Sequence, residues 1–336
     1  MRAALQRISS AAGIPDDWDR IAGSCFQRRE FLRHCEIYNP CRQRYYTLSG
    51  EGGLKAGACV YSLRLDLLTF LGIVSPVTVQ VVGVPCSVSA SGIVGGPVPP
   101  PGFLESLFRA ERGLTVVLNV DGVPDRRGVA VGRTFPDVVL ANRFRGWDDY
   151  LSSLRSAYRR RLREIEVDSL RYDITTAPCS GFTDDEHRLY LNVLERSACR
   201  LERLSADFFR SLPGAFRLTR FTRDGALCGW VITVLDGGRY CFFLGGQGDS
   251  PRSESLYHVK LATILKQGIG LGAREIDFGQ TAETPKMRLG GLPREKIMLG
   301  RHSNPLFHAL LRASIGFLSY RAGALTAPRV FKEAAA

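Results

Sequence analysis

The pattern of apolar and polar positions is most regular between residues 240 and 291. Tyr240–Leu244 is a short apolar run that predicts a buried strand, and Ser255–Leu271 has the apolar spacing of a helix that packs on a sheet. Glu275–Phe278 alternates as a second strand does. Because strand, helix and strand in this order form a crossover unit, we expect the two strands to be parallel neighbours. Glycines are expected to end the first strand (Gly245, Gly246, Gly248) and the helix (Gly270, Gly272).

The same periodicities divide the rest of the chain into short helices and strands. Residues 1–35 have a helical pattern, and Arg44–Leu48 with Ala56–Leu65 alternates like a hairpin. Further strands are expected at residues 77–84, 114–120, 137–140, 171–175, 216–221, 227–235 and 295–299, and further helices at residues 103–112, 184–198, 206–212 and 306–320. Small ligands usually bind at the carboxyl ends of parallel strands, which here directs attention to Gly245–Ser250 and Gly279–Gly291.

Gly146–Leu170 is predicted to form one amphipathic helix with a strongly basic surface. Five arginines cover most of the surface beside its apolar stripe: Arg155, Arg159, Arg160, Arg161 and Arg163. One interpretation is a solvated surface helix with ion pairs four residues apart, such as Arg160 with Glu164. The other is a helix that faces an anion, since the arginines outnumber the local acids. The pattern alone leaves both interpretations open.

Composition adds a preference for anionic partners and for a reducing compartment. The 336 residues carry a net charge of +12, which favours nucleic acid or a phosphorylated donor unless the excess only reflects an arginine-rich composition. Nine cysteines form no C-x-x-C pair, and five histidines lack metal-ligand spacing, so we predict neither a disulfide framework nor a metal site. The sequence shows no signal peptide and no membrane-spanning segment, and we therefore expect a cytoplasmic protein.

From residue 170 onward the order of predicted elements resembles the GNAT acyltransferase fold, and the first half resembles it more weakly. Three segments carry a closer resemblance to the FemAB-like branch of that superfamily: W-D-D-Y-L-x-x-L-x-x-x-Y-R-R-R-L-R at 147–163, G-A-R-E-I-D-F-G-Q-T at 272–281 and K-M-R-L-G at 286–290. The resemblance implies an α/β chain (α+β, with a mixed sheet) made of two tandem GNAT-like domains. The expected divisions are an N-terminal domain at 1–145, a basic connecting helix at 146–169, a C-terminal GNAT domain at 170–303, and a helix with a tail at 304–336.

The FemAB-like resemblance implies a transferase that moves an acyl or aminoacyl group from an activated donor onto an amine, forming an amide (or ester) without a covalent enzyme intermediate. Aminoacyl-tRNA is the favoured donor, since the loop G-G-Q-G-D-S-P-R-S-E-S departs from the usual pyrophosphate-binding pattern and carries Asp249 and Glu254. An acyl-CoA-dependent N-acetyltransferase is the first alternative. The second is a non-catalytic module that binds nucleic acid or another anion. No covalently bound cofactor is expected, and the acceptor is expected to be a small-molecule or peptide amine.

Three residues are candidates for the transfer step itself. In the FemAB-like branch a Lys-x-x-Phe-Gly segment places its lysine near the reacting ester, and Lys286 stands in the matching position with leucine in place of phenylalanine. The resemblance implies that Lys286 stabilises the oxyanion or a tRNA phosphate, and the alternative is a surface lysine in a loop. Asp277 could take the proton of the acceptor or could cap the turn, and Gln280 could orient the acceptor.

Candidate binding residues form two sets. The donor set contains Gly246, Gln247, Gly248 and Arg252 in the glycine-rich loop, Arg288 near Lys286, and Arg155, Arg159 and Arg163 on the basic helix. The acceptor set contains Ser87, Ser89 and Ser91 in a loop of small residues in the first half, with Tyr257 and His258 at the start of the later helix. For Tyr257 the alternative is packing in the core. The sequence contains no Ser–His–Asp pattern, P-loop or dinucleotide fingerprint.

Overall fold

The computed structural model describes residues 5–65, 77–86, 88–96, 98–122, 128–197, 202–248, 253–321 and 327–332. The chain divides into two compact units, the first made of Met1–Phe135 with Glu295–Ala322 and the second of Pro136–Arg294 with Gly323–Ala336. This division differs from the boundaries expected from the sequence. It puts the basic segment 146–169 inside the second unit and assigns most of the segment 304–336 to the first.

The elements are numbered here in chain order. The strands are β1 (Leu5–Ile8), β2 (Arg44–Gly50), β3 (Gly53–Leu65), β4 (Val77–Val82), β5 (Ile93–Val94), β6 (Leu114–Val120), β7 (Ala130–Ala141), β8 (Asp173–Pro178), β9 (Phe216–Arg223), β10 (Ala226–Asp236), β11 (Arg239–Gln247), β12 (Glu275–Asp277) and β13 (Leu292–His302). The helices are α1 (Asp17–Ile21), α2 (Arg29–Tyr38), α3 (Phe103–Ala110), α4 (Trp147–Ser153), α5 (Ser156–Ser169), α6 (Asp184–Arg196), α7 (Ala206–Arg210), α8 (Ser253–Gly270), α9 (Glu283–Met287) and α10 (Pro305–Leu318).

The first unit contains a mixed sheet with the strand order β1-β2-β3-β4-β6-β13, and β5 pairs with β3. The predicted hairpin of β2 and β3 is confirmed, with Tyr45 opposite Cys59. The strands β4 and β6 are parallel, and the other described pairs in this unit are antiparallel. Helix α3 covers this sheet with Phe103 and Leu107, both fully buried.

The second unit contains the strand order β7-β12-β11-β10-β9-β8. The predicted crossover is confirmed, because β11 and β12 are parallel neighbours joined by α8, with Tyr240 opposite Ile276. Val259, Ile264 and Leu265 of α8 are fully buried against this sheet, as the apolar spacing of the helix requires. The capping box expected at the start of α6 is also present, with Glu186 and Thr183 bonded reciprocally.

The prediction of helix throughout residues 1–35 is wrong at its beginning. Leu5–Ile8 forms β1, an edge strand antiparallel to β2 with Leu5 opposite Leu48. The helical spacing in this region comes from residues further along, in α1 and α2. A four-residue segment has too short a pattern to show its own period, and the exposed edge of β2 decides its conformation.

The predicted helix 146–170 is two helices, α4 and α5, separated by extended backbone at Leu154 and Arg155. The peptide N–H of Arg155 donates to the carbonyl of Val330 at 3.0 Å, and that of Lys332 donates to the carbonyl of Ser153 at 2.9 Å. These bonds replace the ones that a continuous helix would make here. Because the partner segment lies far away in sequence, the local pattern could not show the break.

Gly245 and Gly246 do not end β11, as the sequence suggested, but lie within it. A Cβ atom at Gly246 would overlap the indole ring of Trp230 on the neighbouring strand. Glycine is therefore needed for the close approach of a buried tryptophan rather than for a turn. After β12 the sequence allowed either a helix or a loop, and the structure has a short helix there, α9.

No helix in the described ranges is long and apolar enough to cross a membrane.

Candidate functional site

The turn that follows β12 has an unusual backbone. Gly279, Thr281 and Ala282 have φ angles of 70°, 62° and 48°. A left-handed conformation is ordinary for glycine but is an outlier for a β-branched residue such as Thr281. Such strain persists only where the surrounding contacts hold the backbone in place. The segment 279–282, called the β12 turn below, is therefore held by its neighbours.

Lys286 is one of the groups that hold the β12 turn. Its side chain is 1% exposed, and Nζ donates to the carbonyl oxygens of Gly279 at 3.1 Å and Gln280 at 2.7 Å. Burial lowers the pKa of Lys286 to about 8, against the opposing effect of Asp277 and Glu283. The sequence analysis placed this amine at the reacting ester. In the structure the amine instead donates to two backbone carbonyls, and these hydrogen bonds hold the side chain in its position.

Asp277 holds the same turn from the strand side. One carboxylate oxygen, Oδ1, accepts from the peptide N–H of Gly279 at 2.8 Å, and Oδ2 is 2.9 Å from Nη2 of Arg239. Nη2 of Arg239 also contacts the fully buried Asp137 at 3.0 Å. Burial alone would lower the pKa of Arg239, but the carboxylates of Asp277 and Asp137 raise it above its ordinary value. Both oxygens of Asp277 are thus engaged, as the turn-capping alternative requires, and its role as a base stays a prediction.

A cleft lies between α5, α8 and α9 in the second unit. Its lining includes the exposed side chains of Arg161 and Arg288 together with His258, and Nη2 of Arg161 is 3.5 Å from Nε2 of His258. Its other lining residues are largely apolar and aromatic: Tyr150, Leu154, Tyr158, Leu162, Ile165, Leu261, Pro285 and Leu289. The structure therefore brings together Arg288 from the predicted donor set and His258 from the acceptor set. It adds Arg161, which the sequence analysis had named only as part of the basic helix.

The remaining donor residues lie elsewhere in the second unit or outside the described residues. Gly246 lies within β11 and Gln247 is its last residue, and the peptide N–H of Gly248 donates to the carbonyl of Cys228 at 3.1 Å. Arg252 is outside the described residues. Arg155 donates through Nε to the carbonyl of Phe331 at 3.2 Å, whereas Arg159 is half-buried and Arg163 is exposed on α5.

The predicted acceptor residues are dispersed. Ser89 and Ser91 belong to the first unit, where Oγ of Ser91 accepts from the peptide N–H of Ile93 at 3.1 Å, and Ser87 lies outside the described residues. Tyr257 packs against the core of the second unit, as its alternative required, and burial raises its pKa to about 12. Of this set only His258 lines the cleft. The acceptor role of the serines stays a prediction.

Lys260, a buried lysine on α8, was not among the site residues predicted from the sequence. Its side chain is 5% exposed, and Nζ donates to the carbonyl of Gly246 at 3.2 Å. Burial lowers the pKa of Lys260 to about 7, and the nearby charge of Arg196 acts in the same direction. A signal was present in the sequence: Lys260 lies one helical turn after Leu256 and one before Ile264, on the face that must be buried.

Comparison with known proteins shows which protein family and which solved structures this chain resembles. Residues 152–287 match the family model described as the acetyltransferase (GNAT) domain. No curated protein matches the sequence of this chain. Among solved structures, FemX is similar over 91% of this chain and 100% of its own, with a TM-score of 0.56 and 12% identity.

Two further structures have a similar fold. L-PGS from Bacillus licheniformis is similar over 90% of this chain and 97% of its own, with a TM-score of 0.54 and 12% identity. The C-terminal domain of a protein named as a lysylphosphatidylglycerol synthetase from Agrobacterium fabrum covers 91% of this chain and 97% of its own, with a TM-score of 0.53 and 11% identity.

Residues 152–287 thus carry a GNAT acetyltransferase domain, which supports an acyltransferase activity. The fold of the chain is the tandem GNAT-like, FemAB-like fold that FemX also has. This outcome confirms the fold class and the enzyme class expected from the sequence.

Proposed function

We propose that this acyltransferase moves an aminoacyl group from aminoacyl-tRNA onto the amine of a small molecule or peptide. The observation that carries the proposal is the cleft beside α5, which is lined by two exposed arginines, Arg161 and Arg288, by His258, and by apolar and aromatic side chains. The net charge of +12 supports an anionic donor of this size.

The chemistry of the cleft suits the 3′ end of a tRNA. Guanidinium groups such as those of Arg161 and Arg288 bind phosphate oxygens strongly. Flat side chains such as those of Tyr158 and Pro285, both at the cleft, offer surfaces on which a base can stack. The exposed Arg160 and Arg163 extend the basic surface of α5 toward a longer nucleic acid backbone.

The end of β11 is a weaker site for the pyrophosphate of an acyl-CoA. Such a site needs peptide N–H groups that point at the anion. Here the N–H of Gly248 is already bonded to the carbonyl of Cys228. Asp249 adds negative charge next to it in sequence. These two features favour aminoacyl-tRNA over acyl-CoA as the donor.

The reaction needs no nucleophilic side chain, since an aminoacyl ester is already activated. The amine nitrogen of the acceptor forms a bond to the ester carbonyl carbon, and the bond from that carbon to the ribose oxygen breaks. The proton that leaves the amine ends on the ribose oxygen, so atoms and charge balance. In this scheme Lys286 and Asp277 are positioning residues, because they hold the β12 turn by Nζ and Oδ1.

The fold likeness to FemX, and to a protein named for making lysylphosphatidylglycerol, is in keeping with aminoacyl transfer. The description of the family model as an acetyltransferase domain keeps acyl-CoA as the second candidate donor.

The test measures release of amino acid from charged tRNAs in the presence of candidate amines, with wild type and Arg161→Ala/Arg288→Ala. We expect the double variant to raise KM for charged tRNA about tenfold or more, and to reduce the salt dependence of binding by roughly one unit of slope per arginine.

The matched control is Arg188→Ala, which removes an arginine that is 69% exposed and paired with Asp185 on α6. It should leave KM and the salt slope unchanged. If no tRNA loses its amino acid faster than in buffer, and calorimetry shows acetyl-CoA binding at micromolar concentration, the donor is acyl-CoA and the proposal is wrong.

A further inference from the structure

Most of the large apolar side chains of helix α10, in the first unit, are exposed to solvent. Five large ones are at least 58% exposed: Leu306 at 81%, Phe307 at 58%, Leu310 at 64%, Phe317 at 80% and Leu318 at 59%. None of the fourteen residues of the helix is buried. Scattered single exposed apolar residues are normal, but a contiguous set on one helix marks an interaction surface.

The opposite side of α10 is fixed to its unit. A Cβ atom at Gly300 would lie 3.1 Å from Cδ2 of Leu311, and one at Gly132 would lie 3.1 Å from Cγ1 of Ile315. Past the helix, the peptide N–H of Tyr320 donates to the carbonyl of Arg133 at 2.8 Å. The helix begins at a well-formed cap, where Oδ1 of Asn304 accepts from the N–H of Leu306 at 2.9 Å. The exposed face therefore belongs to a helix that is held in place.

The charged side chains of the segment that carries this face have one sign. Residues 301–332 contain no aspartate or glutamate, and α10 carries Arg312 as its own cation. Arg301 precedes the helix and Arg321 follows it, with the guanidinium of Arg321 over the ring of Phe317 at 5.7 Å from its centre. Cations beside exposed leucine and phenylalanine are the composition of helices that lie in the interface of an anionic bilayer.

We propose that α10 docks this enzyme on an anionic lipid surface, with Leu306, Leu310 and Phe317 in the acyl region and Arg312 and Arg321 at the head groups. The helix would lie in the plane of the interface, along about 21 Å of it at 1.5 Å per residue. A second copy of the chain is a less favourable occupant, because pairing two such faces would bring arginines of the same sign together without an acid on the helix to balance them. The inference does not depend on which donor the enzyme uses.

Sedimentation with vesicles tests the proposal. The full chain is mixed with vesicles of phosphatidylglycerol and phosphatidylcholine, and separately with phosphatidylcholine alone. We expect binding to the anionic vesicles that weakens as salt is added. The triple variant Leu306→Ser/Leu310→Ser/Phe317→Ser should bind at least about tenfold more weakly, since it removes most of the apolar area that would enter the lipid.

A charge variant, Arg312→Gln/Arg321→Gln, should lose about fivefold in affinity per arginine and most of the salt dependence. The matched control is Leu170→Ser, which changes a leucine that is 83% exposed in the second unit and should bind like wild type. Thermal unfolding of every variant checks that it is folded.

Three results would overturn the inference. The first is failure of the wild-type protein to sediment with the anionic vesicles. The second is a folded triple variant that sediments as well as wild type does. The third is a wild-type dimer in light scattering that the triple variant makes monomeric, because then a second copy of the chain covers the face.

Discussion

Helices α8 and α10 are both rich in apolar residues, yet their surroundings are opposite. Val259, Ile264 and Leu265 of α8 are fully buried against the sheet of the second unit. Leu310 and Phe317 of α10 remain mostly in water. A count of apolar residues therefore does not separate a core helix from a surface one. The difference comes from what covers the helix, which is fixed by contacts far away in sequence.

Each helix also contains the residue type that its surroundings disfavour. The buried helix α8 contains the charged side chain of Lys260, and the exposed helix α10 contains leucines and phenylalanines. Such inconsistencies between residue and environment concentrate at functional positions. The comparison thus directs attention to Lys260 in one unit and to the exposed apolar face in the other.

The sharpest test of the comparison is the same substitution in both helices. Leu265→Ala should lower the free energy of unfolding by about 2–5 kcal/mol, because Leu265 is fully buried and the change leaves a cavity. Leu310→Ala should change it by less than about 0.5 kcal/mol, because that side chain is already 64% exposed. Urea unfolding measures both values. A loss of similar size in the two variants would mean that α10 is covered in the isolated protein.

A second pair of substitutions replaces one glycine in each helix with alanine, and the two expected changes in stability have opposite signs. On α8, a Cβ atom at Gly268 would lie 2.7 Å from Cγ1 of Ile276 and 3.0 Å from Cδ1 of Tyr240, so Gly268→Ala should destabilise by about 1–3 kcal/mol. On α10, a Cβ atom at Gly316 would meet nothing within 4 Å, and Gly316→Ala should stabilise by about 0.5–1 kcal/mol through helix propensity. Thermal unfolding measures the stability of both variants. Melting temperatures that shift in the same direction would contradict the expected difference between the two helices.

The third test concerns the charge buried in α8 and depends on pH. The native pKa of Lys260 is about 7, whereas an unfolded lysine keeps its proton to about 10.4. Between these values the unfolded chain binds more protons, so the free energy of unfolding should rise as pH rises from about 7 toward 10. Lys286, with a native pKa of about 8, adds to the same rise from a slightly higher pH.

The variant Lys260→Met should lose the part of the pH-dependent rise in unfolding free energy that comes from Lys260. It should keep the part that comes from Lys286. The control is Lys266→Met, an exposed lysine on the same helix, which should keep the slope of wild type. The measurement is urea unfolding at several pH values from 6 to about 10. An unchanged slope in Lys260→Met would show that this amine keeps its proton in the native state.

Local patterns in the sequence were sufficient for much of the fold. The crossover of β11, α8 and β12 followed from one apolar run, one helical stripe and one short alternation, and the structure has the parallel pair. The strand at Leu114–Val120 and the capping box of α6 also followed from their own residues. These features depend on neighbours in sequence, which is why their patterns are visible without a structure.

The features that the sequence analysis missed depend on distant partners. The break between α4 and α5 is made by Val330, and the conformation of β1 is decided by the edge of β2. At the site, contact of Lys286 with a substrate stays a prediction, and its hydrogen bonds to the carbonyls of the β12 turn could not be inferred from a residue pattern. Among the predicted binding residues that the structure describes, His258 and Arg288 meet in one cleft, although they lie thirty positions apart in the sequence.

The division of the chain has a consequence for its synthesis. The first unit includes Glu295–Ala322, whose residues 297–302 pair with β6, and the second includes the segment that bonds Val330 to Arg155. On a ribosome, residues 1–135 would emerge long before the strand that completes their sheet, and β7 to β12 before the segment that closes their core. The first unit can therefore not complete its sheet before residue 302 has been made, and the second unit needs residues up to 332, so each sheet stays incomplete during much of synthesis.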